Sequence, residues 1–242
     1  QTQTKSYRKP NNKIMNEIFH EDCLDTITNR NIKYDYTCFS PPDYDELNLT
    51  PIKDDNEYLD WQKNVYSKLN PSNNVVTIVT SLRRFKSRTI PKDYQVYEIM
   101  KDLGYELITK KVWVKPKIDI NLGERNNLYR YDNAMVQSFG RGKIKSRGTK
   151  RYRADNWTED YKTEIFDGVR YTYHFPETMI SRCICNFTHK GDTVYDPFIG
   201  IGTTAIASYT LGRNYYGSEI DEKIYNIAHK RTENLKNIAK KT

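Results

Sequence analysis

The sequence has little of what builds metal centres or disulfide frameworks. Its 242 residues hold four histidines and four cysteines. Cys23, Cys38, Cys183 and Cys185 form no Cys-x-x-Cys pair, and no histidine stands at zinc-finger spacing, so no metal site is expected. The thiols are expected to be free, in a reducing compartment that is cytoplasmic, nucleoid or nuclear. No run approaches the roughly 18 apolar residues of a membrane span, and no apolar signal segment opens the sequence. Gly/Ser linkers and internal repeats are missing too, so residues 1–242 read as one compact domain with a single core. Acid is outnumbered, with 31 Asp and Glu against 39 Lys and Arg, for a net charge of +8. That balance favours a polyanionic partner.

Two segments carry chemistry. The first runs from Thr193 to Glu219. Thr193–Asp196 reads as a short buried strand after a Gly-Asp turn, and Pro197 ends it. Gly200 and Gly202 permit positive φ and close approach of backbone amides to a ligand. Thr203–Leu211 reads as a helix closed by Gly212, and Asn214–Glu219 as a second strand ending in an acid. A strand, a glycine turn and a helix N-terminus suit a nucleotide-like ligand, and the terminal carboxylate suits its ribose hydroxyls. No Lys follows Gly202, which excludes a phosphate loop, and Ala205 takes the place of a third glycine. The second segment is Lys33–Phe39, an alternating strand, running into Ser40-Pro41-Pro42. Two prolines fix an extended corner that presents carbonyl oxygens and one hydroxyl, acceptors for an exocyclic amino group.

With both segments in view, the chain resembles the amino-methylating DNA methyltransferases that use S-adenosylmethionine, in their circularly permuted β group. Ser40-Pro41-Pro42 matches the [Ser/Asn/Asp]-Pro-Pro-[Tyr/Phe] motif, in the serine form of the cytosine-N4 enzymes. Asp196-Pro-Phe-x-Gly-x-Gly-Thr-Thr204 and Gly217-Ser-Glu219 match closely. Ile18–Asp25 resembles the strand that leads to the cofactor's adenine, with Glu21 in place of the usual Gly. His174–Ile180 resembles the segment at the cofactor's methionine end. The resemblance implies an α/β, Rossmann-like methyltransferase sheet with helices on both faces. It also implies permuted motif order, and an inserted basic recognition segment over about 115–170. It implies S-adenosylmethionine held by Asp22, Cys23, His174, Asp196, Phe198, Gly200, Gly202, Thr203, Thr204, Glu219 and Ile220. The catalytic corner is Ser40, Pro41, Pro42, Asp43 and Tyr44. Asp43 departs from the pattern, since an aromatic is expected there. Three readings stay open: Tyr44 stacks on the base one residue late, Asp43 alters the target, or the corner is weakened. A Pro-Cys nucleophile is lacking, which excludes carbon-5 cytosine methylation.

The implied partner is DNA, duplex with a flipped base or single-stranded, and the implied reaction is cytosine-N4 methylation. Adenine-N6 methylation, RNA amino-methylation and an inactive nucleic-acid-binding subunit are the alternatives, and a homodimer stays open. Two basic clusters read as nucleic-acid contacts: Arg83, Arg84, Lys86, Arg88 and Lys92 after a strand end, and Arg141, Lys143, Lys145, Arg147, Lys150, Arg151 and Arg153 in a glycine-spaced run.

The remaining elements follow from periodicity. Helices are expected over Tyr58–Leu69 and Tyr94–Leu103, and strands over Asn74–Thr80, Tyr105–Val114 and Asp132–Phe139. Residues 1–13 read as a loose arm. Trp113 and Trp157 read as core or hinge packing and not as base stackers, and His20, His189 and His229 as surface or strand-end residues.

Overall fold

The computed structural model describes residues 16–43, 54–81, 83–85, 88–114, 133–144, 156–158, 164–166, 169–171 and 175–239. The described residues open with β1 (Glu17–His20), α1 (Cys23–Asn29) and β2 (Tyr36–Phe39). Helix α2 (Asp55–Ser67) leads to β3 (Val75–Ser81) and a hairpin of β4 (Arg83–Phe85) and β5 (Arg88–Ile90). Next come α3 (Lys92–Asp102), β6 (Glu106–Val114), β7 (Asn133–Gly140) and β8 (Asn156–Thr158), then a second hairpin of β9 (Glu164–Phe166) and β10 (Val169–Tyr171). The last third is α4 (Glu177–Phe187), β11 (Thr193–Asp196), α5 (Thr203–Thr210), β12 (Asn214–Glu219) and α6 (Glu222–Ala239).

Among the described residues, eight strands form one sheet in the order β1-β12-β11-β2-β3-β7-β6-β8. The first five run parallel, β7 is antiparallel to β3 and β6, and β8 is parallel to β6. Parallel strands covered on both faces read as continuous apolar runs, as Val75–Thr80 does, where every residue is buried. Successive side chains serve opposite layers. Phe39, Val76, Ile78, Tyr195 and Tyr216 meet α1, α2 and α3 through Cys23, Val65, Tyr66, Val96 and Met100. Tyr36, Cys38, Val75, Val79 and Val194 meet α4 and α5 through Met179, Cys183, Ile184 and Ala207. Trp113 and Trp157 lie in this second layer, each under 4% exposed, and all four cysteines are free and buried.

The N-terminal strand ends form a stitched lower rim. Asp35 accepts from Ser72 Oγ at 2.6 Å and from the Thr193 amide at 2.9 Å. Asn73 donates to the Phe187 carbonyl at 3.0 Å and accepts from the Val75 amide at 2.8 Å. The buried Arg213 donates to the carbonyls of Thr188 and Leu211, at 2.8 and 2.7 Å. The C-terminal ends form the upper rim. From β11 the chain crosses to β12 on one side, and from β2 it crosses to β3 on the other. This reversal opens a crevice above β11 and β2, the usual ligand position in an open α/β sheet.

The sequence-based expectations hold for β11 and β12 to the residue. Helix α2 begins three residues before Tyr58, because Asp54 caps it through the amides of Asn56 and Glu57. Strand β2 is shorter than Lys33–Phe39, and the short hairpins were not anticipated. The span 115–170, read as an insertion, contributes β7 and β8 to the main sheet. Residues 1–13 lie outside the described residues.

Candidate active site

Both sequence segments open onto the crevice, on adjacent parallel strands that place Tyr195 beside Thr37. After β2 the corner is held from below. Pro41 is buried. The Tyr58 hydroxyl on α2 donates to the Pro42 carbonyl at 2.7 Å, and Gln62 Nε2 donates to that hydroxyl at 2.9 Å. Asp43 is paired with Lys92, the first residue of α3. Burial pulls the Lys92 ammonium down to about 8. The carboxylate touching it acts the other way, and the contact favours the charged pair.

After β11 the backbone makes a cradle. Asp196 is buried and accepts from the Phe198 amide at 2.9 Å. Burial raises its carboxyl to about 7, against the pull of the Thr204 hydroxyl and the Phe198 amide. Gly200 has φ +53°, and a Cβ there would meet only the Phe198 carbonyl at 4.0 Å, so its outer side is open. Gly202 serves another purpose: at φ +88° it caps α5, and its missing Cβ lets Ala228 of α6 approach. Arg231 of α6 donates to the Ile201 carbonyl at 2.6 Å and holds the loop.

Glu219 accepts from the Gly200 amide at 3.1 Å and the Asp221 amide at 2.9 Å, one on each oxygen. Burial raises its pKa. Each carboxylate oxygen has a second lone pair, so capacity for two ribose hydroxyls remains. Ile220 beside it is 40% exposed, an apolar surface of the kind an adenine ring covers. The Phe198 ring rests between Phe39 and Trp61, at 5.6 and 5.4 Å. An open glycine, a buried carboxylate and an exposed apolar side chain along one rim fit a nucleoside carrying a cationic tail.

The comparisons agree with this geometry. A family model described as DNA methylase, of the N6/N4 type, matches residues 48–230. The chain belongs to the N6/N4 DNA methylase family. These enzymes are S-adenosylmethionine-dependent DNA amino-methyltransferases. The type II methyltransferase M.BglII of Bacillus subtilis is 26% identical over 249 residues, 89% of this chain and 68% of its own length. Several other curated relatives are matched over little more than half of theirs. Among solved structures, the M1.HpyAVI–SAM complex superposes with TM-score 0.68 at 21% identity, covering 90% of this chain and 100% of that one. The PvuII cytosine-N4-specific methyltransferase superposes with TM-score 0.74 at 18% identity, covering 90% and 86%. The likeness in these structures is one of fold.

In this methylase the crevice brings together Ser40, Pro41, Pro42 and Asp43 with Asp196, Phe198, Gly200, Thr203, Glu219 and Ile220. Asp22 stands on the same rim and caps α1 through the Leu24 amide at 2.7 Å. The Cys23 thiol points into the core and burial pushes its pKa up. Thr204 is buried under the loop. Tyr44, His174, Lys145, Arg147, Lys150, Arg151 and Arg153 lie outside the described residues. Arg83 and Arg84 lie on the β4–β5 hairpin, which leaves β3 at the upper rim. Arg141 and Lys143 are not brought to the corner. They follow β7, which runs antiparallel and ends beside the start of β3, at the lower rim. There the Arg141 amide donates to the Asn74 carbonyl and its guanidinium covers the Tyr105 ring at 4.8 Å.

Glu21, where the family pattern has Gly, has a task here. Its carboxylate accepts from Arg30 Nε and Nη2, at 2.6 and 2.7 Å, and from the Thr26 hydroxyl, fixing α1. Arg30 holds its pKa below the usual range. Tyr58, Trp61 and Arg231 were missed as supporting residues, and Lys92, read as a nucleic-acid contact, is instead buried and paired with Asp43. For Tyr58 the signal existed, since it was the first apolar residue of a recognised helix.

Proposed function

We propose that this methylase transfers a methyl group to the N4 amino group of cytosine in DNA. The target base is turned out of the stack into the crevice above β11 and β2. The observation that carries this reading is the meeting of the Ser-Pro-Pro corner and the glycine loop at the switch point. The Ser40 hydroxyl and the Pro41 carbonyl accept from the amino group and direct its nitrogen toward the methyl donor. Glu219 and Asp22 hold the ribose side of S-adenosylmethionine, Ile220 its adenine, and the Gly200 loop its centre. That cofactor supplies an electrophilic sulfonium methyl. Alignment of amine and methyl is the main contribution of the protein, and no covalent intermediate with the chain is required.

Two features support cytosine over adenine. Ser40 is the serine form of the motif, and pairing with Lys92 engages the Asp43 carboxylate, leaving the hydroxyl as the side-chain acceptor. Arg83, Arg84 and the run Lys145–Arg153 are proposed phosphate contacts, in keeping with the net charge of +8. Labelled methyl transfer to duplex DNA, single-stranded DNA and RNA, each digested to nucleosides, tests the reading. N4-methylcytosine in DNA is the expected product. N6-methyladenine would replace the base assignment, label in RNA alone would replace the substrate, and no label with cofactor bound would indicate an inactive subunit.

A further inference from the structure

Lys92 stands where a cation is disfavoured twice. It is 7% exposed. It is also the first residue of α3, behind Pro91, which provides no side-chain cap. A helix N-terminus carries partial positive charge, which adds to the cost of burial. A lysine kept there needs a counter-charge, and the structure supplies Asp43, the residue directly after Pro41-Pro42. A pair so buried gains little over two apolar residues of similar volume, so stability alone does not account for it.

Its position does. Pro42 is gripped through its carbonyl by Tyr58 of α2, and Asp43 through its carboxylate by Lys92 of α3. The two helices are joined in one core cluster through Val65, Tyr66, Val96 and Met100. Two successive residues of the corner are therefore anchored to a rigid layer. Lys92 also directly follows the β4–β5 hairpin and Pro91, so the same contact ties the base of that hairpin to the corner.

We propose that Lys92 is a positioning residue for methyl transfer: by gripping Asp43 it fixes the Ser40–Pro42 corner and keeps the Asp43 carboxylate from competing for the target amine. The inference rests on the reading given under Proposed function. A corner freed to shift by about an ångström loses alignment, and such displacements lower turnover by about a hundredfold.

The test compares wild type, Lys92→Met, Asp43→Asn and the double variant, measuring kcat on duplex DNA, cofactor Kd by calorimetry and melting temperature. Each single variant should lose about a hundredfold in kcat with cofactor Kd unchanged. The double variant should lose no more than the worse single, because both act through one contact. A merely structural role would move the melting temperature and leave kcat of the folded fraction intact. If Lys92→Met does not fold, the neutral double variant decides alone: wild-type turnover in it overturns the proposal. So do wild-type turnover in Lys92→Met and losses that multiply in the double variant. A wild type that methylates no nucleic acid removes the underlying reading and the proposal with it. A wild type that methylates beside an unimpaired Lys92→Met removes the proposal only.

Discussion

The two rims of the sheet use their polar atoms in opposite ways. At the lower rim Asp35, Asn73 and Arg213 direct theirs to neighbouring chain segments. At the upper rim the buried Asp196 and the half-buried Glu219 are carboxylates held by backbone amides, and burial raises both pKa values. The lower rim is arranged for the folded state as it stands. The upper rim keeps an electrostatic cost that a ligand carrying positive charge would relieve, which is how functional sites commonly differ from structural ones. The pair of Asp43 and Lys92 lies at the same rim, where burial lowers the Lys92 pKa.

Substitutions can break or sharpen this division. The largest effect is expected at the corner. Ser40→Ala should lower kcat by roughly 10²–10³-fold, the scale seen when one preorganised polar contact to a reacting group is lost. Its melting temperature should stay put, and a drop as large as any at the lower rim would erase the contrast. Asn73→Ala should do the reverse. It leaves a buried carbonyl and a buried amide unpaired, costing about 2 kcal/mol, or some 4–8 °C in Tm for a chain of this size. Methyl transfer by the folded fraction and cofactor affinity should match wild type, as thermal melts and calorimetry would report.

Glu219→Ala should weaken cofactor binding by on the order of tenfold to thirtyfold, from lost hydrogen bonds to a charged acceptor. Unchanged affinity would remove Glu219 from the site.

The smallest effect is a pH dependence. Asp196 has its pKa raised to about 7, so below that pH it is protonated in the free protein. A cationic ligand favours the carboxylate, and binding there must release a proton. Cofactor affinity should therefore fall by up to about tenfold per unit below pH 7 and level off above it. The ligand-free protein should show the opposite trend. A raised acid contributes stability at low pH that is lost as pH rises from about 4 through about 7. Calorimetry and melts over that window read both slopes.

The cofactor half of the upper rim was largely legible in the sequence. Thr193–Glu219 is a local unit whose strand ends, glycines and terminal acid each leave a signal at short range. Other features were legible but unread. Helix α6 has a cap, Asp221, bonded to the amides of Lys223 and Ile224, and Ile224, Ile227 and Ala228 mark its inner stripe. Helix α4 starts behind Pro176 with no side-chain cap, so its apolar spacing at Met179, Ile180, Cys183, Ile184 and Phe187 was its main mark. The rest is tertiary. Nothing near Asp43 announces Lys92, and nothing near Pro42 announces Tyr58. The placement of Arg141 and Lys143 depends on the direction of β7, which a charge pattern does not encode. Glu21 stood out as a departure from the family pattern, yet its role became visible only with Arg30 and Thr26 in place.

The central claim is that the crevice above β11 and β2 is where the methyl group moves. Its most direct measurement is nucleoside mass spectrometry of duplex DNA after reaction with S-adenosylmethionine, run with wild type and with Ser40→Ala. The account predicts N4-methylcytosine with wild type and about a hundredfold less with the variant, at equal cofactor occupancy. Equal methylation by the two proteins, or no methylated nucleoside from a wild type that binds the cofactor, would contradict it.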